Sequence, residues 1–308
     1  MKKTIYLMII LFVSISFIGC DNDKKDYISK RNNDLVQRKL KGSVKYIEET
    51  ENYISYNSDS TIRKEIIEYQ FTTFNKDGFI IKEINSSPIN RYSKNLFRYN
   101  YKGNLTKVSE FNSKGIFERK YIYKYDSKGN ITELRWYNSD YKLERKYFEK
   151  YDSNNNLIES IGYNIDDRIF IKFTYKYYSQ GSLCEENWYD SNGILDLKIK
   201  FEYDSIGNIV EKNLFNSDGS FNNRYTFKYD LKGNELEFRW YNSDGSLKGK
   251  EEYIYEYDKK NNWIKKIKNK SNYIIERKIV YYGDKDENNY PEWDSPSFKG
   301  MIIHGIEL

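Results

Sequence analysis

Two families of turn recur along this chain at one fixed spacing, and nothing else in the sequence constrains its fold as strongly. The first family opens on an aromatic residue, continues with Asp and closes on Gly-Asn, as in Tyr125-Asp126-Ser127-Lys128-Gly129-Asn130. Its openers fall at Tyr99, Tyr125, Tyr151, Tyr177, Tyr203 and Tyr229, 26 residues apart each time, with looser copies at Phe74 and Tyr257. The second family, typified by Tyr241-Asn242-Ser243-Asp244-Gly245, opens at Phe111, Tyr137, Tyr163, Tyr189, Phe215 and Tyr241, again 26 apart. Two interleaved series in constant register mean that one supersecondary unit is repeated. The turn chemistry is explicit. Asn or Asp bonds its own backbone, and Gly takes the left-handed position that closes a bulge. Asn155 and Asn261 replace Gly where Asn is the fair substitute. Tyr141 and Arg168, read at the glycine positions of the second family, predict local departures there.

Between turns lie segments of about eight residues in which apolar and charged side chains alternate, the period of a half-buried strand. Tyr121, Tyr123 and Tyr125 share one side, with Lys120, Ile122 and Lys124 on the other. In the returning strand Leu236, Phe238 and Trp240 alternate with Glu235, Glu237 and Arg239. Four-residue turns would pair the aromatic triplets with Thr132/Leu134/Trp136 and Leu236/Phe238/Trp240. The next strand is expected to continue the same face through Phe117, Leu143, Ile169, Leu195, Phe221 and Leu247. With 32 Tyr, 17 Phe, 5 Trp and only 3 Pro, the vocabulary is that of strands. The fold class is therefore all-β, a tandem array of 26-residue hairpins forming a long antiparallel meander of roughly eighteen strands. Open twisted sheets rarely exceed about ten strands, and apolar burial contributes about 25 cal/mol per Å². The sheet should accordingly roll or twist strongly, with an aromatic inner face.

The N-terminus belongs to a different regime. Lys2 and Lys3 precede the apolar run Ile5 to Val13, and small residues lead to Cys20. This is the layout of a secretory signal, and Phe17-Ile18-Gly19-Cys20 resembles the lipobox of bacterial lipoproteins. That resemblance implies cleavage before Cys20 and acylation of its sulfur (palmitate) and new amino group, hence stable anchoring by several chains. The polar stretch that follows is similar to the tethers of Bacteroidetes surface lipoproteins. The domain organisation expected is a signal peptide over 1–19, the lipidated Cys20 and polar tether over 20–41, a repeat domain over 42–282, and a C-terminal cap over 283–308 holding Pro291, Trp293, Pro296 and His304.

The turns Tyr125–Asn130, Tyr203–Asn208 and Tyr229–Asn234 resemble the YD repeats of the Rhs family over most of Phe74 to Asn262. The resemblance implies a β-shell, a cell-envelope location and carbohydrate or cell-surface binding. The period here is longer than that family's, and with only about fifty residues after the last repeat the resemblance does not imply toxicity.

The formal charge of +5 falls to +3 once Lys2 and Lys3 are removed, and the charges are interspersed. Nucleic-acid binding would need a basic stripe, so it is not expected. Cys184 is the one thiol left after Cys20 is acylated, and His304 is the one histidine. Metal sites and nucleophile–base pairs are correspondingly disfavoured. We expect no cofactor, no metal and no enzyme. The column Glu133, Glu159, Glu185, Glu211 and Glu237 reads as a ladder balanced by Lys and Arg, because a catalytic pair needs two dissimilar environments. Trp136, Trp188 and Trp240 fall on the aromatic face and read as core, as does Cys184. Phe111, Tyr137, Tyr163, Tyr189, Phe215 and Tyr241 fall on the charged face beside the turns. They are the candidate ligand-facing aromatics. The function expected is a lipid-anchored envelope module, in or on the outer membrane, that binds a glycan or protein. The alternative is a periplasm-facing protein partner in envelope maintenance or toxin immunity.

Overall fold

The computed structural model describes residues 33–56, 61–87 and 92–284, together with the strand backbone at 302–303 and 306–307. Cys20, the signal peptide and His304 lie outside the described residues. Eighteen antiparallel strands run in chain order. The first six are β1 (Val44–Tyr56), β2 (Ile62–Phe74), β3 (Ile80–Ser86), β4 (Ser93–Tyr99), β5 (Leu105–Phe111) and β6 (Phe117–Tyr125). The next six are β7 (Ile131–Tyr137), β8 (Leu143–Tyr151), β9 (Leu157–Asn164), β10 (Ile169–Tyr177), β11 (Leu183–Tyr189) and β12 (Leu195–Tyr203). The last six are β13 (Ile209–Asn216), β14 (Phe221–Tyr229), β15 (Glu235–Tyr241), β16 (Leu247–Tyr257), β17 (Trp263–Lys268) and β18 (Tyr273–Tyr281). Each strand pairs with the next, and β1 also pairs with β18 from Val44↔Tyr281 to Tyr53↔Tyr273. The meander therefore closes into a barrel, which removes both free edges.

Register shifts place the side chains. Tyr121 faces Trp136 and Tyr123 faces Leu134 on the inner wall, as the alternation predicts. The last rung differs, because a bulge pairs Tyr125 with Ile131 and Tyr229 with Glu235, not with Thr132 and Leu236. Leu236 is left exposed. A second shift beside each turn of the other family has a larger consequence. Phe111 pairs with Phe117, and their rings meet edge-on at 6.0 Å; Phe215 and Phe221 repeat the contact. Phe117 and Phe221 thus sit on the outer wall with the turn aromatics instead of continuing the inner face. The physical reason is the extra residue of the bulge, which flips parity at that point.

Four of the first-family turns share one Asp–Asn hydrogen-bond pattern. In the first family Asp126 Oδ1 accepts from the N–H groups of Lys128 and Asn130, and the Asn130 amide donates back to Asp126 Oδ2. Asp152/Asn156, Asp204/Asn208 and Asp230/Asn234 do the same. The expected departures at Tyr141 and Arg168 do not occur. Tyr141 and Asp167 take φ of 60° and keep the standard turn hydrogen bonds to Asn138 and Asn164, so the glycine-equivalent position is Asp167.

The tyrosines that open the first turns tie neighbouring hairpins together. Tyr125, Tyr177, Tyr203 and Tyr229 donate their hydroxyls to the carbonyls of Leu105, Leu157, Leu183 and Ile209, each 20 residues back. Apolar clusters line the inner wall around Tyr123/Leu134/Tyr147 and around Phe173/Trp188/Phe201. Near the closure both walls are buried. Ile47, Phe74 and Ile80 pack inside, while Tyr46, Phe71, Ile84 and Val280 pack on the outer side, where the β19 backbone (Ile302–Ile303) passes beside β2.

One end of the barrel is strapped by the segment before β1. Residues expected to be a solvated tether are docked from Asn33 onward. A short helix, α1 (Asp34–Gln37), is capped by Asn33 and buries Leu35. Asp34 accepts from the Ile80 N–H and the Tyr99 hydroxyl, Lys39 reaches Asn208 and the Gly233 carbonyl, and Lys41 bonds Asn262. The strap so links the tips of five hairpins spread along the sequence.

Candidate functional site

The six candidate aromatics all lie on the outer wall at the end opposite the strap, each closing a strand just before a second-family turn. All six are half-buried. Alternate-strand placement spaces them about 10 Å apart, twice the strand separation. Five of the six rings are braced from the side, Phe111 by Phe117. Lys120 lies 4.3 Å from the Tyr137 ring centre, Arg224 lies 4.1 Å from that of Tyr241, and Lys200 lies 5.6 Å from that of Phe215. Phe148 meets Tyr163 edge-on at 5.7 Å. Such cation–ring contacts are worth about 0.5–1 kcal/mol at exposed sites. The rings therefore serve the scaffold on one side and leave area to solvent on the other.

Below this row the wall is charged. Glu133 is pinned under Lys124 and Arg135, Glu159 pairs with Lys172 at 2.6 Å, and Glu185 pairs with Lys176 at 2.8 Å. Burial alone would raise the Glu237 carboxyl, but hydrogen bonds from Lys250, Lys228 and Arg239 hold it down at about 2. Four of the five copies are thus carboxylates paired with cations, as the ladder reading requires, while Glu211 accepts from the Asn213 amide at 2.6 Å. Trp136, Trp188 and Trp240 face inward and pack against aromatic or aliphatic neighbours; Cys184 shares the Trp188 face and is half-buried.

Sequence reasoning missed the inner acids. Glu149 and Glu186 project from β8 and β11 into the aromatic lining. Burial pushes both carboxyls up to about 7, offset in part by Ser160 for Glu149 and by Trp188 and then Lys212 for Glu186. Lys212 itself is held below its usual range by burial. Three strand spacings separate Glu149 from Glu186, about 14 Å along the sheet. A glycosidase pair needs about 5–9.5 Å. For Glu149 the legible signal was an acid in an otherwise apolar inward column (Tyr123, Tyr175, Phe201, Phe227), whereas the Glu186 column also holds Ser160 and Lys212.

At the same end as the aromatic row, a cleft of about 410 Å³ opens between two hairpin tips, lined by Asn216, Asn222, Asn223, Asn242, Ser243 and Asp244. Phe215 and Tyr241 immediately precede two of these asparagines.

No protein-family model matches the chain. No curated protein matches it either. Among solved structures, the barrel is similar to a porin-like protein from Bacteroides uniformis, at 11% identity, over 77% of this chain and 96% of that one, with a TM-score of 0.42. A porin-like protein from Bacteroides vulgatus is similar at 11% identity over 79% and 100%, with a TM-score of 0.37. A TcdB2-TccC3-Cdc42 structure is similar at 12% identity over 89% of this chain but only 18% of that one, with a TM-score of 0.31.

Proposed function

We propose that this protein is a non-enzymatic binding barrel of the cell envelope, anchored through Cys20, that presents its outer aromatic row to an extended glycan. The observation that carries the reading is the row itself. Phe111, Tyr137, Tyr163, Tyr189, Phe215 and Tyr241 stand half-exposed along one rim. Their spacing of about 10 Å is close to the length of a disaccharide repeat in an extended glycan. Aromatic faces suit the apolar face of a sugar ring, and the polar edge of Tyr suits its hydroxyls.

The charged wall supports a barrel standing in water. A membrane-spanning barrel carries an apolar outward band about 25 Å tall, whereas here Lys124, Glu133, Arg135, Lys172 and Glu159 occupy mid-wall positions. An acyl anchor is then the means of attachment to the membrane, and the β-shell supplies a rigid platform for recognition.

The test is glycan-array binding of the full-length chain, repeated with Tyr137, Tyr189 and Tyr241 each changed to Ser. Loss of a reproducible glycan signal with an unchanged melting temperature supports the reading. Retained binding by the triple variant sinks it. Protease shaving of intact cells tells which side of the outer membrane the barrel faces. Digestion on intact cells fits a glycan outside, and protection until permeabilisation turns the search to an envelope polymer or protein.

A further inference from the structure

The cleft between the β13–β14 and β15–β16 tips is where the repeat departs from itself. At the positions after the strand-opening apolar residue, sister strands carry Glu118-Arg119, Glu144-Arg145, Phe170-Ile171, Asp196-Leu197 and Lys248-Gly249. Strand β14 alone carries two amides, Asn222-Asn223. The two bordering turns are also unlike the other four of their family. In those four, the opening Asn or Asp accepts through Oδ1 from the backbone two and four residues on, as Asn138 does from Asp140 and Lys142. In Asn216–Ser220 and Asn242–Ser246 that task passes to Asp218 and Asp244, which accept from the Ser220 and Ser246 N–H groups at 2.8 Å. The Asn216 and Asn242 amides instead donate to Ser220 Oγ and Ser246 Oγ, and Asn216 Oδ1 accepts from Asn222 at 2.5 Å. Serine at the fifth position occurs only in these two turns, where the sisters have Ile116, Lys142, Arg168 and Ile194.

Asn216 and Asn242 open their turns as Asn112, Asn138 and Asn164 do, but turn closure does not explain why their side chains turn to Ser220 and Ser246, nor why Asn222 and Asn223 stand where the scaffold accepts Glu-Arg. Side-chain amides present donor and acceptor together in one plane, which is the pattern that neighbouring sugar hydroxyls complement. The cleft volume lies within the usual range for small-ligand sites, yet its lining is amide, hydroxyl and carboxylate, which fits a hydroxyl-rich ligand better than an apolar one. Phe215 and Tyr241 flank it, continuous with the aromatic row.

We propose that this cleft is the specificity subsite of the barrel, where Asn216, Asn222, Asn223 and Asn242 read the hydroxyls of one or two neutral sugar residues. The proposal rests on the glycan reading of the aromatic row and assigns the row the stacking, the cleft the discrimination between sugars.

The experiment is calorimetric titration of the full-length chain in mild detergent with cellohexaose, chitohexaose, maltohexaose and laminarihexaose, with and without calcium. Two variants accompany it. Asn222→Glu with Asn223→Arg installs the pair that β6 and β8 already hold, so the fold should survive. Tyr137→Ser with Tyr163→Ser breaks the row away from the cleft. We expect one hexasaccharide to bind, independent of calcium, and the amide-pair variant to lose at least tenfold in affinity at an unchanged melting temperature. Unchanged affinity in the amide-pair variant overturns the subsite, and if the row variant has lost binding the row reading still stands. Loss in the amide-pair variant alone keeps the subsite and removes the row. Binding of none of the four sugars overturns the subsite, as does binding seen only with calcium.

Discussion

The indole N–H of Trp188 donates to the Glu186 carboxylate at 2.7 Å, with both side chains buried on the inner wall. A carboxylate held there lacks the water it would have in the unfolded chain, and one indole N–H replaces only part of that solvation.

The consequence is a pH dependence of unusual sign. Glu149 and Glu186 titrate near 7 in the folded barrel, against an ordinary 4.5. Between those values the folded state binds more protons than the unfolded one, so stability falls as pH rises. It is fully present below about 4.5 and is lost as pH climbs through 7. At about 1.4 kcal/mol per pKa unit, each group contributes up to roughly 3 kcal/mol. Melting temperature should drop between pH 5 and pH 8. Changing both residues to Gln should flatten that drop and raise stability at pH 8. A double variant that melts with the same pH profile as the parent would show that these carboxyls are charged in the folded state.

Gly249 lies under Trp240, and a Cβ there would come within 2.0 Å of the ring. Gly249→Ala should therefore force the indole out of its rotamer, at about 1–3 kcal/mol, with an altered near-ultraviolet circular dichroism. Gly245 has nothing within 4 Å of an added Cβ but sits at φ +82°. Gly245→Ala should cost about 1 kcal/mol from the backbone alone, with the aromatic signal unchanged. Urea unfolding of the two variants checks both numbers.

The hairpin ties make a third prediction. Tyr203 donates to the Leu183 carbonyl at 2.9 Å and Tyr229 to Ile209 at 2.9 Å. Phenylalanine keeps the ring and removes the bond, so Tyr203→Phe and Tyr229→Phe should each cost about 1 kcal/mol. The ties join different hairpins, so the double variant should also broaden the unfolding transition. A transition as sharp as the parent's would mean that ladder pairing alone keeps the hairpins cooperative.

What the sequence made legible follows from where its periodicity is strict. The 26-residue register places Tyr121 opposite Trp136 and yields all-antiparallel pairing, because both are fixed by the two-residue alternation and by turn length. The bulge at each turn was legible from its Gly, but its effect on register was not: it moves one residue out of phase, so Ile131 takes the rung expected of Thr132, and Phe117 joins Phe111 outside. Closure through β1 and β18 was equally hidden, since those strands carry the repeat only loosely. The aromatic row was legible from its wrong-side parity. The amide cleft was not, because it arises from two tips that sit apart in sequence, and its signal is a deviation visible only when the six copies are laid over one another.

The strap yields the last prediction. Leu35 packs among Val44, Ile47, Phe74 and Ile80, with Phe97 alongside, and its N–H donates to the Gly78 carbonyl. Asp34 seals the same corner through Ile80 and Tyr99. Lys39 acts at the other side, but through exposed contacts of 3.2 and 3.4 Å to Gly233 and Asn208. The two halves should therefore differ in what they contribute. Leu35→Ala should cost about 2–3 kcal/mol, the low end for a buried leucine, and should speed proteolysis near residue 41 in the otherwise folded chain. Lys39→Ala should stay within about 0.5 kcal/mol, as expected of an exposed contact. If Leu35→Ala proves as mild as Lys39→Ala, the strap is held by Asp34 and its hydrogen bonds instead of by burial, and Asp34→Ala becomes the variant that frees it. Either result tells how firmly the barrel is coupled to the anchor that Cys20 is proposed to provide, since the docked segment from Asn33 to Lys41 lies between Cys20 and β1 in the chain.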